Sequence, residues 1–154
     1  MNPEIAINVL NSFIIINNDR IERYKVASRD ITNYSLKKAF ENFQKTSQKC
    51  KMELSKEIIK LGGTPLQDKS SFNSVSKFWL AVKNNFIYKD IKKLISSCEI
   101  NENEVMKTYY DTIYSNRDLL TDNQQLMLSE QYFSINTEHY EIKSFKDNFF
   151  ISAV

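Results

Sequence analysis

Glycine and proline are scarce in this sequence, which has only two of each among its 154 residues. Average usage is roughly 7% for glycine and 5% for proline. A β-sandwich, a barrel or a glycine-loop nucleotide fold is hard to build with so few turn residues. Long helices joined by few turns remain, and a chain of this length is expected to form a single domain over residues 1–154.

Long apolar runs and an excess of one charge are also missing. No stretch approaches the roughly 20 apolar residues that cross a bilayer, and the N-terminal segment MNPEIAINVLNSF does not resemble a signal peptide. The 21 basic and 19 acidic side chains are interspersed, so no basic stripe could follow a phosphate backbone. We therefore expect a cytoplasmic protein that binds neither nucleic acid nor a membrane.

Residues that carry chemistry are few. Cys50 and Cys98 are the two cysteines, too few and too far apart for a zinc or redox motif, and each is expected to be a small core residue. The sequence contains no nucleophile elbow, P-loop, HExxH motif or EF-hand loop. Nothing in these patterns indicates an enzyme.

Apolar residues at intervals of three and four predict four long helices. Their ranges are residues 4–31, 36–61, about 88–113, and 121–149. The second helix is expected to end at Gly62 and Gly63, because a left-handed C-cap is cheap only for glycine, and Pro65 cannot resume the helix. Thr121 or Asp122 can cap the fourth.

The connection between the second and third helices, from Gly62 to about Phe86, is far longer than the other two. Its apolar residues also recur at helical spacing, at Phe72, Val75, Phe78, Trp79, Val82 and Phe86. This spacing predicts a short extra helix that packs on the others and buries Trp79. One long crossover is typical of the ferritin-like variant of the four-helix bundle, so the sequence predicts an all-α fold of that type.

Polar residues at positions where a buried helix stripe should be apolar mark a candidate site. They are Glu53 on the second helix, Glu99 and Glu102 on the third, and His139, the one histidine, on the fourth. In one interpretation these four side chains converge as ligands of iron, manganese or zinc. Ferritin-like carboxylate sites use two Glu-x-x-His pairs, whereas this chain has one histidine and carries Asn136 three residues before it.

A second interpretation needs no metal. Glu99 or Glu102 would accept a hydrogen bond from His139, Tyr24 or Tyr109, in a polar layer that fixes the register of the helices. A catalytic role for the same cluster is a third interpretation. Buried polar groups must be paired in every case.

Five segments together resemble a family of bacterial ferritin-like four-helix-bundle proteins of uncharacterised function. They are NNDRIERY, SQKCKMELSKEIIKLGGTP, SVSKFWLAVK, CEINENEVMKTYYD and EQYFSINTEHYEIKSF. The resemblance implies a ferritin-like fold in a bacterial, cytoplasmic protein, and a polar site at the four residues above with Asp19 or Glu22 as a contribution from the first helix. It does not imply ferroxidase activity.

Two functions are therefore expected as alternatives. The first is a non-enzymatic protein that associates with itself as a homo-oligomer or with another protein, in a role related to stress. The second is a metal-binding protein with a degenerate carboxylate and histidine site. Binding of a small apolar ligand between the helices is a further possibility, which only the large number of aromatic residues supports. The C-terminal tail FKDNFFISAV is expected either to pack on the helices or to contact another subunit.

Overall fold

A computed structural model describes residues 2–29, 31–67 and 91–151, with side chains described as far as residue 148. These ranges contain four α-helices and no strand, so the all-helical prediction is confirmed for them. The helices are α1 (Pro3–Ser28), α2 (Tyr34–Lys60), α3 (Ile91–Ser115) and α4 (Asp122–Ile151), with a 3₁₀ helix at Arg117–Leu119 before α4. The expected crossover helix with Trp79 lies outside the described residues, as do the side chains of the C-terminal tail from Phe149.

Side-chain caps fix where two of the helices begin. The Leu36 amide donates to Asn33 Oδ1 at 3.0 Å ahead of α2. At α4 the Gln124 amide donates to Thr121 Oγ1 at 3.1 Å, and the Thr121 amide donates to Gln124 Oε1 at 3.0 Å. This reciprocal pair is a capping box, and it confirms Thr121 as the cap of the last helix.

The end of α2 is set by the two glycines, as predicted. Gly62 has a φ of +84°, the left-handed conformation that other residues adopt only with strain. Its amide donates to the Ile59 carbonyl at 2.9 Å, and the Gly63 amide donates to the Ile58 carbonyl at 2.9 Å. These two bonds form a Schellman motif, which satisfies carbonyls that the last helical turn leaves open.

Two apolar clusters give the directions of the helices. One cluster combines the end of α1 and α4 with the start of α2 and α3, through Tyr24, Phe40, Leu94 and Ile142 among others. The other combines the start of α1 and α4 with the end of α2 and α3, through Leu10, Ile58, Tyr109 and Leu128 among others. α1 and α4 therefore run in one direction, and α2 and α3 run in the opposite one. Both cysteines are buried and unpaired, as expected.

The connection from α2 to α3 starts along the outside of α1. Gly63 lies against Ile7, where an added Cβ would come within 2.7 Å of the isoleucine side chain. The Leu66 amide then donates to Asn11 Oδ1 at 3.0 Å, and Asn18 Nδ2 donates to the Gln67 carbonyl at 3.0 Å. The chain thus travels away from the end of α2, towards the opposite end of the molecule where α3 begins. Among the described residues, no helix has the length and apolar character needed to cross a membrane.

Candidate functional site

Arg20 lies at the centre of the described core and is fully buried. Its Nε donates to Glu102 Oε1 on α3 at 2.9 Å, and its second terminal nitrogen donates to Glu138 Oε1 on α4 at 2.8 Å. The other terminal nitrogen donates to the Phe43 carbonyl and to Ser47 Oγ on α2, each at 3.0 Å. One guanidinium therefore ties all four helices together, because its planar fork presents donors in several directions.

The two carboxylates that pair with Arg20 have further donors. Tyr24 donates its hydroxyl proton to Glu102 Oε1, and Thr46 Oγ1 donates to Glu138 Oε2 at 2.6 Å. The Tyr24 ring also lies beneath the guanidinium, with 5.3 Å between its centroid and the Arg20 Cζ atom. We call these five residues, with Ser47, the Arg20 cluster. It holds one cation against two carboxyl groups and fixes the relative position of the four helices.

Burial perturbs the ionisable groups of the Arg20 cluster. Desolvation raises the pKa of Glu138, although Arg20 and the Thr46 hydroxyl oppose the shift. Burial alone would lower the Arg20 pKa, but Glu102, Tyr24 and Glu138 reverse that effect and leave the pKa raised. Burial and the charge of Glu102 raise the pKa of Tyr24 well above its usual value, so its hydroxyl keeps the proton that it donates.

A second polar chain crosses the core beside the Arg20 cluster. Asn17 Nδ2 donates to the Tyr109 hydroxyl at 2.8 Å, and that hydroxyl donates to Gln131 Oε1 at 2.8 Å. Gln131 Nε2 then donates to the Cys50 carbonyl at 3.3 Å and to Glu53 Oε1 at 3.2 Å. This chain again joins α1, α3, α4 and α2 in turn. Two layers of hydrogen bonds, rather than apolar contacts alone, therefore set the helix register.

The four residues predicted as metal ligands make separate contacts. Glu102 belongs to the Arg20 cluster, and Glu53 accepts from Gln131. Glu99 pairs with Lys146 across the α3–α4 contact, with 3.1 Å between Oε2 and Nζ but without the alignment of a hydrogen bond. His139 is half-buried beside the Tyr140 ring, and its Nδ1 makes no hydrogen bond to any described residue. Of the hydrogen bonds predicted for a polar layer, the one from Tyr24 to Glu102 is confirmed.

The sequence was compared with models of known protein families. A family described as a domain of unknown function, DUF2383, matches residues 5–115. The chain belongs to the DUF2383 family. The match takes in α2, α3 and nearly all of α1, and therefore Arg20 and Glu102 but not Glu138 on α4. A comparison with curated proteins gives no match.

The residues present in this DUF2383 chain do not favour a divalent cation at the predicted place. Within the described ranges, no three His, Cys, Asp or Glu side chains come together as a metal-binding group. The position beside Glu102 is taken by the guanidinium of Arg20, whose charge repels a cation. Asp19 and Glu22 line two separate outer clefts, which do not include Glu102. Metal binding by these four residues stays a prediction, which metal analysis of the purified protein can test.

Neither Arg20 nor Glu138 is among the site residues predicted from the sequence, although both positions fit the helical period. Arg20 lies three residues after Asn17 and four before Tyr24. Ile21 lies four residues after Asn17 and three before Tyr24. Ile21 is only partly buried and lines an open groove of about 610 Å³ between α1 and α2. Spacing allows either residue to face inwards, and the apolar character of Ile21 favours it over a charged arginine.

Proposed function

We propose that this DUF2383 protein is a ferritin-like helical protein that performs no chemistry of its own and acts by binding a protein surface. The observation that carries the proposal is the contrast between a core whose polar groups are largely engaged with one another and an outer surface rich in exposed apolar side chains.

The directions of the helices support the ferritin-like assignment. α1 and α2 are antiparallel, α2 and α3 run in the same direction, and α4 reverses again. This order requires one connection that spans the length of the molecule, between α2 and α3. Ferritin-like folds have one such crossover, whereas bundles with short loops throughout have none.

The core supports a structural use of its polar residues. The Arg20 guanidinium donates to a carboxylate on α3 and to another on α4, and Tyr109 both accepts and donates a hydrogen bond. Such groups are costly to detach from their partners, since a buried charge left alone is strongly destabilising. A site of this kind stabilises one arrangement of the helices, and its Arg20 and Glu102 are buried away from the surface that a substrate could reach.

The outer surface of α3 and α4 carries the apolar side chains that a binding protein needs. Six of them are between 58% and 71% exposed, and we call them the outer apolar face: Ile100, Tyr110, Tyr114, Leu126, Phe133 and Tyr140. Single exposed apolar residues are normal on a monomer, whereas this many on two neighbouring helices favour an interaction site. Tyrosine and phenylalanine are also enriched in protein interfaces.

Cross-linking in the producing cells tests this function. A photoreactive amino acid replaces Phe133 on the outer apolar face, and in a matched control it replaces Lys45, an exposed residue of α2. We expect protein adducts after irradiation from position 133 and none from position 45. Equal yields from both positions, or no adduct from either, would contradict the proposal.

Metal binding at Glu53, Glu99, Glu102 and His139 is the second candidate function. One observation favours it, since Glu102 Oε2 and His139 Nδ1 are buried and make no hydrogen bond to a described residue. Protein purified without chelator should then contain stoichiometric iron, manganese or zinc, and His139→Ala should lose it. If added metal leaves the melting temperature of both proteins unchanged, the metal hypothesis is wrong, because a ligand that binds only the native state must stabilise it.

A further inference from the structure

The outer apolar face has a symmetric layout along α4. Leu126, Phe133 and Tyr140 are seven residues apart, and seven residues are close to two full helical turns, so the three side chains form one row with Phe133 at its centre. All three are more than half exposed. A row of this kind is unchanged in spacing when the helix is turned end over end.

Contacts between α3 and α4 show which part of α3 lies beside the centre of that row. Tyr109 bonds Gln131, and the Tyr110 and Tyr132 rings are 6.3 Å apart between centroids. Because α3 and α4 are antiparallel, these two contacts place Phe133 between the levels of Lys107 and Tyr109 on α3. Lys107 and Asp111 lie two residues to either side of Tyr109, and both are exposed.

From this layout we propose that the outer apolar face binds a second copy of this chain in a two-fold dimer. The two-fold axis passes beside Phe133, across the helices, so that each α4 packs antiparallel on the α4 of the other copy. Phe133 then meets Phe133 of the second copy, and Leu126 meets Tyr140 of the second copy. This inference rests on the proposed function and adds the identity of the partner.

Charge supports the same axis independently of the apolar row. When α3 packs antiparallel on α3 of the second copy about the level of Tyr109, Lys107 of each copy faces Asp111 of the other. The two-fold operation repeats this pair, so the dimer gains two opposite-charge contacts and no like-charge contact at these positions. A strongly acidic partner would be repelled by Asp111, and a strongly basic partner would be repelled by Lys107.

The available area matches what a dimer requires. α3 has 25 residues, which at 1.5 Å per residue make a helix about 38 Å long. Two adjacent helices, each about 10 Å wide, present roughly 750 Å², close to the ~800 Å² that each partner buries in a stable interface. The row from Leu126 to Tyr140 supplies its apolar centre, and the charged residues supply its rim.

A cysteine at the proposed axis tests the geometry. In the proposed dimer of Phe133→Cys, the new thiol lies next to the same thiol of the second copy, so oxidation should give a disulfide-linked dimer. Both native cysteines are buried and should not react. The matched control Lys45→Cys should give none under the same oxidant. Failure of Phe133→Cys to form the dimer, or equal dimer yield from Lys45→Cys, would overturn the proposal.

Charge reversal tests the pairing, with mass measured by light scattering over a range of protein concentrations. Lys107→Asp and Asp111→Lys should each weaken the dimer at least tenfold, because each places like charges opposite each other. The double variant should restore the parent dimer, since the pair is only exchanged. A double variant as weak as the single ones, or a parent that is monomeric at every concentration, would refute the two-fold dimer. If position 133 still captures a different protein in cells, the proposed function stands and only the partner is wrong.

Discussion

Replacing Arg20 with methionine is the most direct test of how the core is held together. Methionine keeps an unbranched side chain but donates no hydrogen bond, so Glu102 and Glu138 lose the cation that lies 2.9 and 2.8 Å away. Breaking a buried ion pair by removing one partner costs about 3–5 kcal/mol. Because total stabilities are about 5–15 kcal/mol, Arg20→Met should remove a large part of the free energy of unfolding.

The measurement is urea unfolding at neutral pH, followed by far-ultraviolet circular dichroism, with the slope m compared between variants. Lys45→Met is the matched control, since it removes an exposed cation from α2 and should change stability by no more than about 0.5 kcal/mol. If Arg20→Met falls within that range of the parent at an unchanged m, the ion pairs do not stabilise the protein and the argument from burial is wrong.

A compensating variant separates loss of the cation from loss of packing. Changing Glu102 and Glu138 to leucine together with Arg20→Met replaces the whole charged group by apolar side chains. Such replacements are often neutral or stabilising, so most of the lost free energy should return. If the triple variant is as unstable as Arg20→Met, the loss came from packing of the arginine side chain and not from uncompensated charge.

Three further predictions concern the second polar chain, the titration of the core and the end of α2. Tyr109→Phe leaves the buried Gln131 amide oxygen without its donor and should cost about 1–3 kcal/mol in urea unfolding, whereas Tyr110→Phe on the surface should cost nothing measurable. The pKa of Glu138 is raised in the folded state, so protonated Glu138 contributes to the free energy of unfolding at low pH. This contribution is lost as the pH rises from the usual pKa of 4.5 through the raised pKa. Stability should therefore fall less steeply with pH over this range in Glu138→Gln, and an identical slope would contradict the assignment. Gly62→Ala meets no atom within 4 Å, so its cost should be the left-handed backbone alone, about 1–2 kcal/mol, and a loss near zero would contradict the C-cap.

The helices themselves could be predicted because their signals are local. The glycine stop of α2 and the Thr121 cap of α4 depend on residues within a few positions, and both occur where the sequence placed them. The apolar stripes also depend only on spacing, and most of their described members are buried. Local signals of this kind do not require knowledge of any other helix.

The site could be predicted only in part, because spacing leaves two candidates at each critical turn. On α4, Glu138 is three residues after Ile135 and four before Ile142. His139 is four residues after Ile135 and three before Ile142. Neighbouring residues on a helix differ by about 100° in direction, so one faces α2 and bonds Thr46, and the other does not. Which of the two belongs to the core depends on Arg20, a residue 118 positions away from Glu138.

The Arg20 cluster and the outer apolar face are linked through the register of α3 and α4. Arg20 binds Glu102 on α3 and Glu138 on α4, and Glu138 lies between Phe133 and Tyr140 in the sequence. A shift of either helix by one residue would move its part of the outer face by about 1.5 Å along the axis. The row on α4 and the charges on α3 would then no longer share one centre. Substitutions in the Arg20 cluster that leave the helices folded should therefore weaken the proposed dimer, although none of the substituted residues lies in the dimer interface.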